Sequence, residues 1–148
     1  MSGEATITSL LQINKNNLKY LNQGGSFTAD IVGTAKGPTP GAIAVSVSYT
    51  VVNLSQLTTP GLCRISSLEA ATSSNVIQVG IYDSQVASFY PLMELLPGES
   101  YVIRLSRLIN KEILPGTGTS VTDSTPEGSL ALKSSPGVGI ALVEAFER

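Results

Sequence analysis

Apolar and polar positions alternate with a period of two along most of this chain, which is the signature of half-buried β-strands. Ala5, Ile7, Ser9, Leu11 and Ile13 oppose Glu4, Thr6, Thr8 and Gln12, with Leu10 the exception on the polar side. Lys15-Asn16-Asn17 punctuates that strand, and Asn22-Gln23-Gly24-Gly25 predicts a second turn. Phe27, Ala29 and Ile31 then face one side, with Thr28, Asp30 and Val32 on the other. Gly37-Pro38-Thr39-Pro40-Gly41 predicts a loop or bulge, because two prolines lack amide donors and fix φ. The strongest strand signal is Ala42 to Val52, where Ile43, Val45, Val47, Tyr49 and Val51 share one face.

Further strands are predicted at Leu62 to Leu68, Val76 to Tyr82, Phe89 to Leu95, Tyr101 to Leu105, Leu130 to Lys133 and Gly139 to Phe146. Between them lie Thr59-Pro60-Gly61, Ser73-Ser74-Asn75, Asp83-Ser84-Gln85 and Pro97-Gly98. Helical spacing is confined to Leu54 to Leu57 and Leu108 to Leu114, a turn or two each. Residues 114–128 read LPGTGTSVTDSTPEG, a long Gly, Ser, Thr and Pro loop of the kind that carries function or stays mobile. Eight to ten short, mostly antiparallel strands with Gly and Pro turns imply an all-β fold, a β-sandwich or barrel. No repeat of fixed period is evident. We read residues 1–148 as a single domain with an extended N-terminal segment at 1–7.

Length supports an independent core: a 15.4 kDa compact fold buries about two-thirds of the surface of its extended chain. Composition removes most chemistry. The 148 residues contain no His, no Trp and one Cys, and charged residues are 14% against about 25% in an average soluble protein. Polarity comes instead from 19 Ser and 13 Thr. Nucleophilic hydrolysis of the Ser-His or Cys-His type lacks its base. One Cys and no His build no zinc site. Gly116-Thr117-Gly118 and Gly137-Val138-Gly139 lack the Lys and the strand-to-helix setting of a phosphate loop. Glu94 and Glu99 bracket a turn and read as solvated acids rather than a glycosidase pair. Asp83, Asp123 and Glu127 show no calcium-ligand spacing. No cofactor and no catalytic or metal-binding residue is expected.

Nine Lys and Arg against eleven Asp and Glu leave a net charge of −2. The densest basic cluster, Arg104, Arg107 and Lys111, has Glu99 and Glu112 beside it, which argues against direct nucleic-acid binding. Cys63 has no internal partner and reads as a small core residue rather than a nucleophile. Met1-Ser2-Gly3-Glu4 lacks the basic start of a signal peptide, and no run suits a membrane helix. Synthesis in the cytoplasm is the expectation. Asn53-Leu54-Ser55 is then a chance glycosylation tripeptide. Tyr82, Phe89, Tyr90 and Tyr101 fall close together, either as a sugar-binding platform or, as alternation favours, partly as core. Pro91 confines its strand to an edge or a bulge, a place where another chain can add.

Several segments in sequence carry a resemblance. Thr59-Pro60-Gly61 leads to Arg64-Ile65-Ser66-Ser67-Leu68-Glu69-Ala70 and then Ile77-Gln78-Val79-Gly80-Ile81. Phe89-Tyr90-Pro91-Leu92, Leu95-Leu96-Pro97-Gly98-Glu99 and Tyr101-Val102-Ile103-Arg104-Leu105-Ser106 follow. Over roughly residues 59 to 107 this order is similar to small all-β virion structural proteins of tailed bacteriophages, of the head decoration or cement type. The resemblance rests on turn chemistry and transfers no functional residue. It implies a non-enzymatic β-sandwich, a trimer seated on the major capsid protein at the virion surface. Sheet edges and extended termini can join neighbours by strand addition. Ser2, Glu4, Thr6 and Ile7, with Phe89, Tyr90, Pro91 and Leu92, are the expected contacts. The alternatives are a head-to-tail adaptor, a tail or fibre-base component, and a carbohydrate-binding or receptor-recognition module.

Overall fold

The computed structural model describes residues 5–29, 37–106, 109 and 128–147. All ten strands lie in antiparallel sheets, and no helix occurs among the described residues. The chain groups into two compact units, residues 1–33 and residues 34–148, where the sequence suggested one domain.

The first unit holds a hairpin of β1 (Ala5–Lys15) and β2 (Leu18–Ala29). Lys15 faces Leu18 across the Asn16-Asn17 turn, and Asn16 takes the left-handed conformation (φ 53°) that Asn tolerates. The expected turn at Asn22–Gly25 is instead a bulge inside β2. Register passes from Thr8↔Ser26 to Leu10↔Gln23, so β2 carries one extra residue, and Gly25 at φ 72° absorbs the kink. The strand predicted here forms as β1, but its apolar face is not buried. None of the hairpin's described side chains is buried, and Leu10, Leu11, Leu18, Tyr20 and Leu21 are all exposed.

The second unit is a sandwich. Sheet I has the order β3 (Thr39–Val45), β10 (Gly139–Glu147), β5 (Pro60–Ser67), β8 (Ser100–Arg104). Sheet II has the order β4 (Thr50–Val51), β9 (Gly128–Ser135), β6 (Val76–Asp83), β7 (Ser88–Leu95). Every second residue of the central strands points into one shared core. Val45, Cys63, Ile65, Ala141 and Val143 come from sheet I; Ile77, Val79, Leu95, Leu130 and Leu132 come from sheet II. Each large aliphatic side chain so buried contributes about 1.5–3 kcal/mol. No aromatic residue belongs to that cluster.

The long strand predicted at Ala42 to Val52 is broken in two, and its halves lie in different sheets. The cause is local. Ser46 Oγ accepts from the amides of Ser48 (3.3 Å) and Tyr49 (3.1 Å) and donates to Tyr49 O (2.8 Å). Thr50 Oγ1 accepts from Ser46 N (2.9 Å). These hydroxyls satisfy the backbone that a continuous ladder would have used, so the chain can turn out of one sheet into the other. The Pro-Gly segment also differs from expectation: Thr39, Pro40 and Gly41 begin β3. Because β3 is an edge strand paired only with β10, a residue without an amide is tolerated there. Leu54 to Leu57 forms a single turn (Leu57 N to Leu54 O, 2.9 Å) whose two leucines plug the core. Of the Leu108 to Leu114 candidate only Ile109 is described, and of the 114–128 loop only Gly128, the first residue of β9.

Candidate interaction surfaces

The pairing order of the two sheets is the same when read through their connections. β3 joins β4 through residues 46–49, β10 joins β9 through 136–138, β5 joins β6 through 68–75, and β8 joins β7 through 96–99. Neighbours in sheet I are therefore linked to neighbours in sheet II, and four short arches stack side by side at one end of the sandwich. Backbone hydrogen bonds link arches to the ends of neighbouring strands beside the next arch. Ser134 N donates to Ser46 O, Leu68 N to Ile140 O, and Ser67 N to Glu99 O, each at 2.9 Å.

Glu69 ties the inner arches together. Its carboxylate accepts from Ser73 Oγ (2.8 Å), Asn75 Nδ2 (3.1 Å) and the Ile140 amide (2.8 Å). Those three donors, Ser73 first, hold its carboxyl below the ordinary value. Asn75 in turn accepts from Gly137 N (3.0 Å) and donates to Val138 O (3.1 Å). In the outer arch, Glu99 accepts from Leu96 N (2.9 Å). None of the four connections contains a Lys or Arg. Among the described residues the ion pair is elsewhere, Arg64 to Glu144 at 3.4 Å.

Each arch also exposes a large aliphatic side chain, Val47 (50%), Val138 (64%), Leu68 (48%) and Leu96 (52%) in stacking order, and the first arch adds Tyr49. Sequence reading missed this row. The signal was a lone apolar residue inside each turn cluster, such as Val47 between two serines, but only the stacking brings the four together.

The contacts expected from sequence fall in two places. Ser2 and Glu4 lie outside the described residues. Thr6 and Ile7 sit in β1, already paired with Thr28 and Phe27 along one edge. Phe89, Tyr90, Pro91 and Leu92 lie on β7, which pairs with β6 alone and is an edge, as Pro91 implied. A register shift falls between Val79 and Gly80, and Gly80 faces Pro91. Gly80 is required there, since a Cβ would meet the Tyr90 carbonyl and approach the Phe89 ring to 2.9 Å. Tyr90 and Leu92 are exposed.

The aromatic residues do not form the expected cluster or core. Tyr82 stacks on Tyr49, ring centroids 4.3 Å apart, and contact with the Tyr49 hydroxyl raises the Tyr82 pKa. Tyr90 and Tyr101 are exposed but belong to different sheets. An apolar cleft of about 330 Å³ is lined by Leu92 and Met93 of β7, Ile103 of β8 and the following Leu105. Glu94 accepts from Gln78 Nε2 (3.1 Å) on paired strands, while Glu99 serves the arch turn, so each acid has its own partner. Cys63 is fully buried in the core, and burial followed by the Glu144 charge pushes its thiol up to about 12. Such a thiol stays protonated and unreactive at neutral pH.

No protein-family model, curated protein or solved structure matches this chain.

Proposed function

We propose that this chain is a non-enzymatic structural protein that works by the surfaces it offers, a capsid decoration (cement) protein of a tailed-phage virion. The observation that carries the reading is the hairpin. Its apolar residues stand exposed on a two-stranded element, and such an element is marginal in water without a further surface to cover it. The row of apolar arch tips and the β7 edge add two more surfaces suited to protein contacts. Sparse charge and abundant Ser and Thr fit repeated packed interfaces, where each buried charge needs a partner. The partners on this reading are the major capsid protein and further copies of the chain, in a homotrimer. Many modest contacts per particle then add up through multivalency.

Quantitative gel densitometry of purified particles tests the reading. A decoration protein is present in hundreds of copies, in proportion to the major capsid protein. A count of roughly a dozen, the number set by a ring at a single vertex, supports a head-to-tail adaptor instead. Absence of the chain from the particle rejects both. Glycan recognition is less favoured, because the stacked Tyr49 and Tyr82 cover each other's faces. Glycan-array binding lost on Tyr90→Ala would reinstate it.

A further inference from the structure

The geometry points to a head-to-tail contact between copies of this chain, in which the β1–β2 hairpin of one copy seats on the arch end of the next. This rests on the reading of the chain as an assembly protein and says which two surfaces meet.

Three properties of the surfaces match. The first is apolarity. Register places Leu11, Ile13, Leu18 and Tyr20 on one face of the hairpin, all exposed, and the arch tips form an exposed apolar row of their own. The second is length. From Leu11 to Lys15 the strand advances about 14 Å, and four stacked arches span about 14 Å at the spacing of neighbouring strands. The third is charge. Residues 5–29 contain Lys15 and Lys19 and no acid, while the arch connections contain Glu69 and Glu99 and no base. Both carboxylates accept hydrogen bonds from uncharged donors, so their charge remains to attract a cation. Lys15 lies on the apolar face of the hairpin itself.

Because the two surfaces are different, the contact is heterologous. It closes into a ring if the rotation between copies allows, as in a trimer, and otherwise propagates.

Sedimentation equilibrium of the full chain across a concentration series tests this with three variants. Leu11→Asp blocks the hairpin and Val138→Asp blocks the arch end. We expect the wild type to associate, each blocked variant alone to remain monomeric, and their equimolar mixture to form a one-to-one pair and stop. Lys15→Glu, an exposed charge reversal that leaves the fold intact, should weaken association by about tenfold, the scale of one lost charge contact. Added salt should weaken the wild type in the same direction. A wild type monomeric at every concentration, a blocked variant that associates like the wild type, or a mixture that stays monomeric overturns the contact. So does a Lys15→Glu variant as tight as the wild type. If the contact fails while the chain still binds purified shells, the assembly reading survives without it; pairing without shell binding gives the reverse.

Discussion

The hairpin and the sandwich are built from the same strand-forming pattern, yet they place it in opposite environments. In the sandwich, alternate residues of two sheets meet face to face, so Leu132, Ile65 and Val143 lose nearly all contact with water. In the hairpin, the same alternation has no described layer over it, and Leu11 stays 56% exposed. Alternation supplies a sticky face, and only a second layer turns that face into stability. The sandwich therefore holds itself together, and on the function proposed above the hairpin's exposed face is left for a partner.

The sharpest way to break the comparison is to make one truncation in each region. Leu132→Ala should cost about 2–5 kcal/mol in urea unfolding, because it removes a fully buried side chain and leaves a cavity. Leu11→Ala should stay within about 0.5 kcal/mol. Equal losses would show that the hairpin shares the core after all. Gly80→Ala comes next, at about 1–3 kcal/mol, since the added methyl collides with the Tyr90 carbonyl and pushes β7 off β6. Backbone amide exchange should then rise along β7 and not in the hairpin.

A smaller effect has the opposite sign. The hydroxyls of Ser66, Ser67 and Ser134 are buried with no hydrogen-bond partner. Ser134→Ala removes one such group and should stabilise the sandwich by about 1 kcal/mol; a loss of that size in the same denaturation assay would mean the hydroxyl has a partner. The smallest effect concerns Glu69. Its folded carboxyl sits below the ordinary value of 4.5, so its contribution is fully present above that pH and is lost as pH falls through the lowered value. Melting temperatures of the wild type and Glu69→Gln should differ near neutrality, the wild type higher, and converge in acid. A constant gap across that range would assign the effect to packing alone.

Much of the sandwich was legible in the residues. Strands at Val76, Phe89 and Gly139 appear within a residue or two of their predicted starts, and the edge position of β7 followed from Pro91. The failures are equally specific. Gly24-Gly25 read as a turn because glycine marks turns and bulges alike, and only the partner strand tells them apart. Ser46 and Ser48 fell inside the single strand predicted at Ala42 to Val52, because hydrophobic alternation outweighed the capping ability of a hydroxyl. The candidate contacts were half legible. An edge strand announces itself by its proline, whereas a row of arch tips is assembled from residues some 20 to 90 positions apart in the chain.

What the amino-acid order determined by itself is the all-β character, the approximate strand positions and the poverty of reactive side chains. Those follow from steric preferences and periodicity, which act over a few neighbouring residues. Tertiary structure alone decided which face of each strand was covered, that one predicted strand would divide between two sheets, and that four turns would stack into one surface. Burial depends on which strands come to lie opposite each other, and two faces of similar composition look the same until a second layer chooses between them.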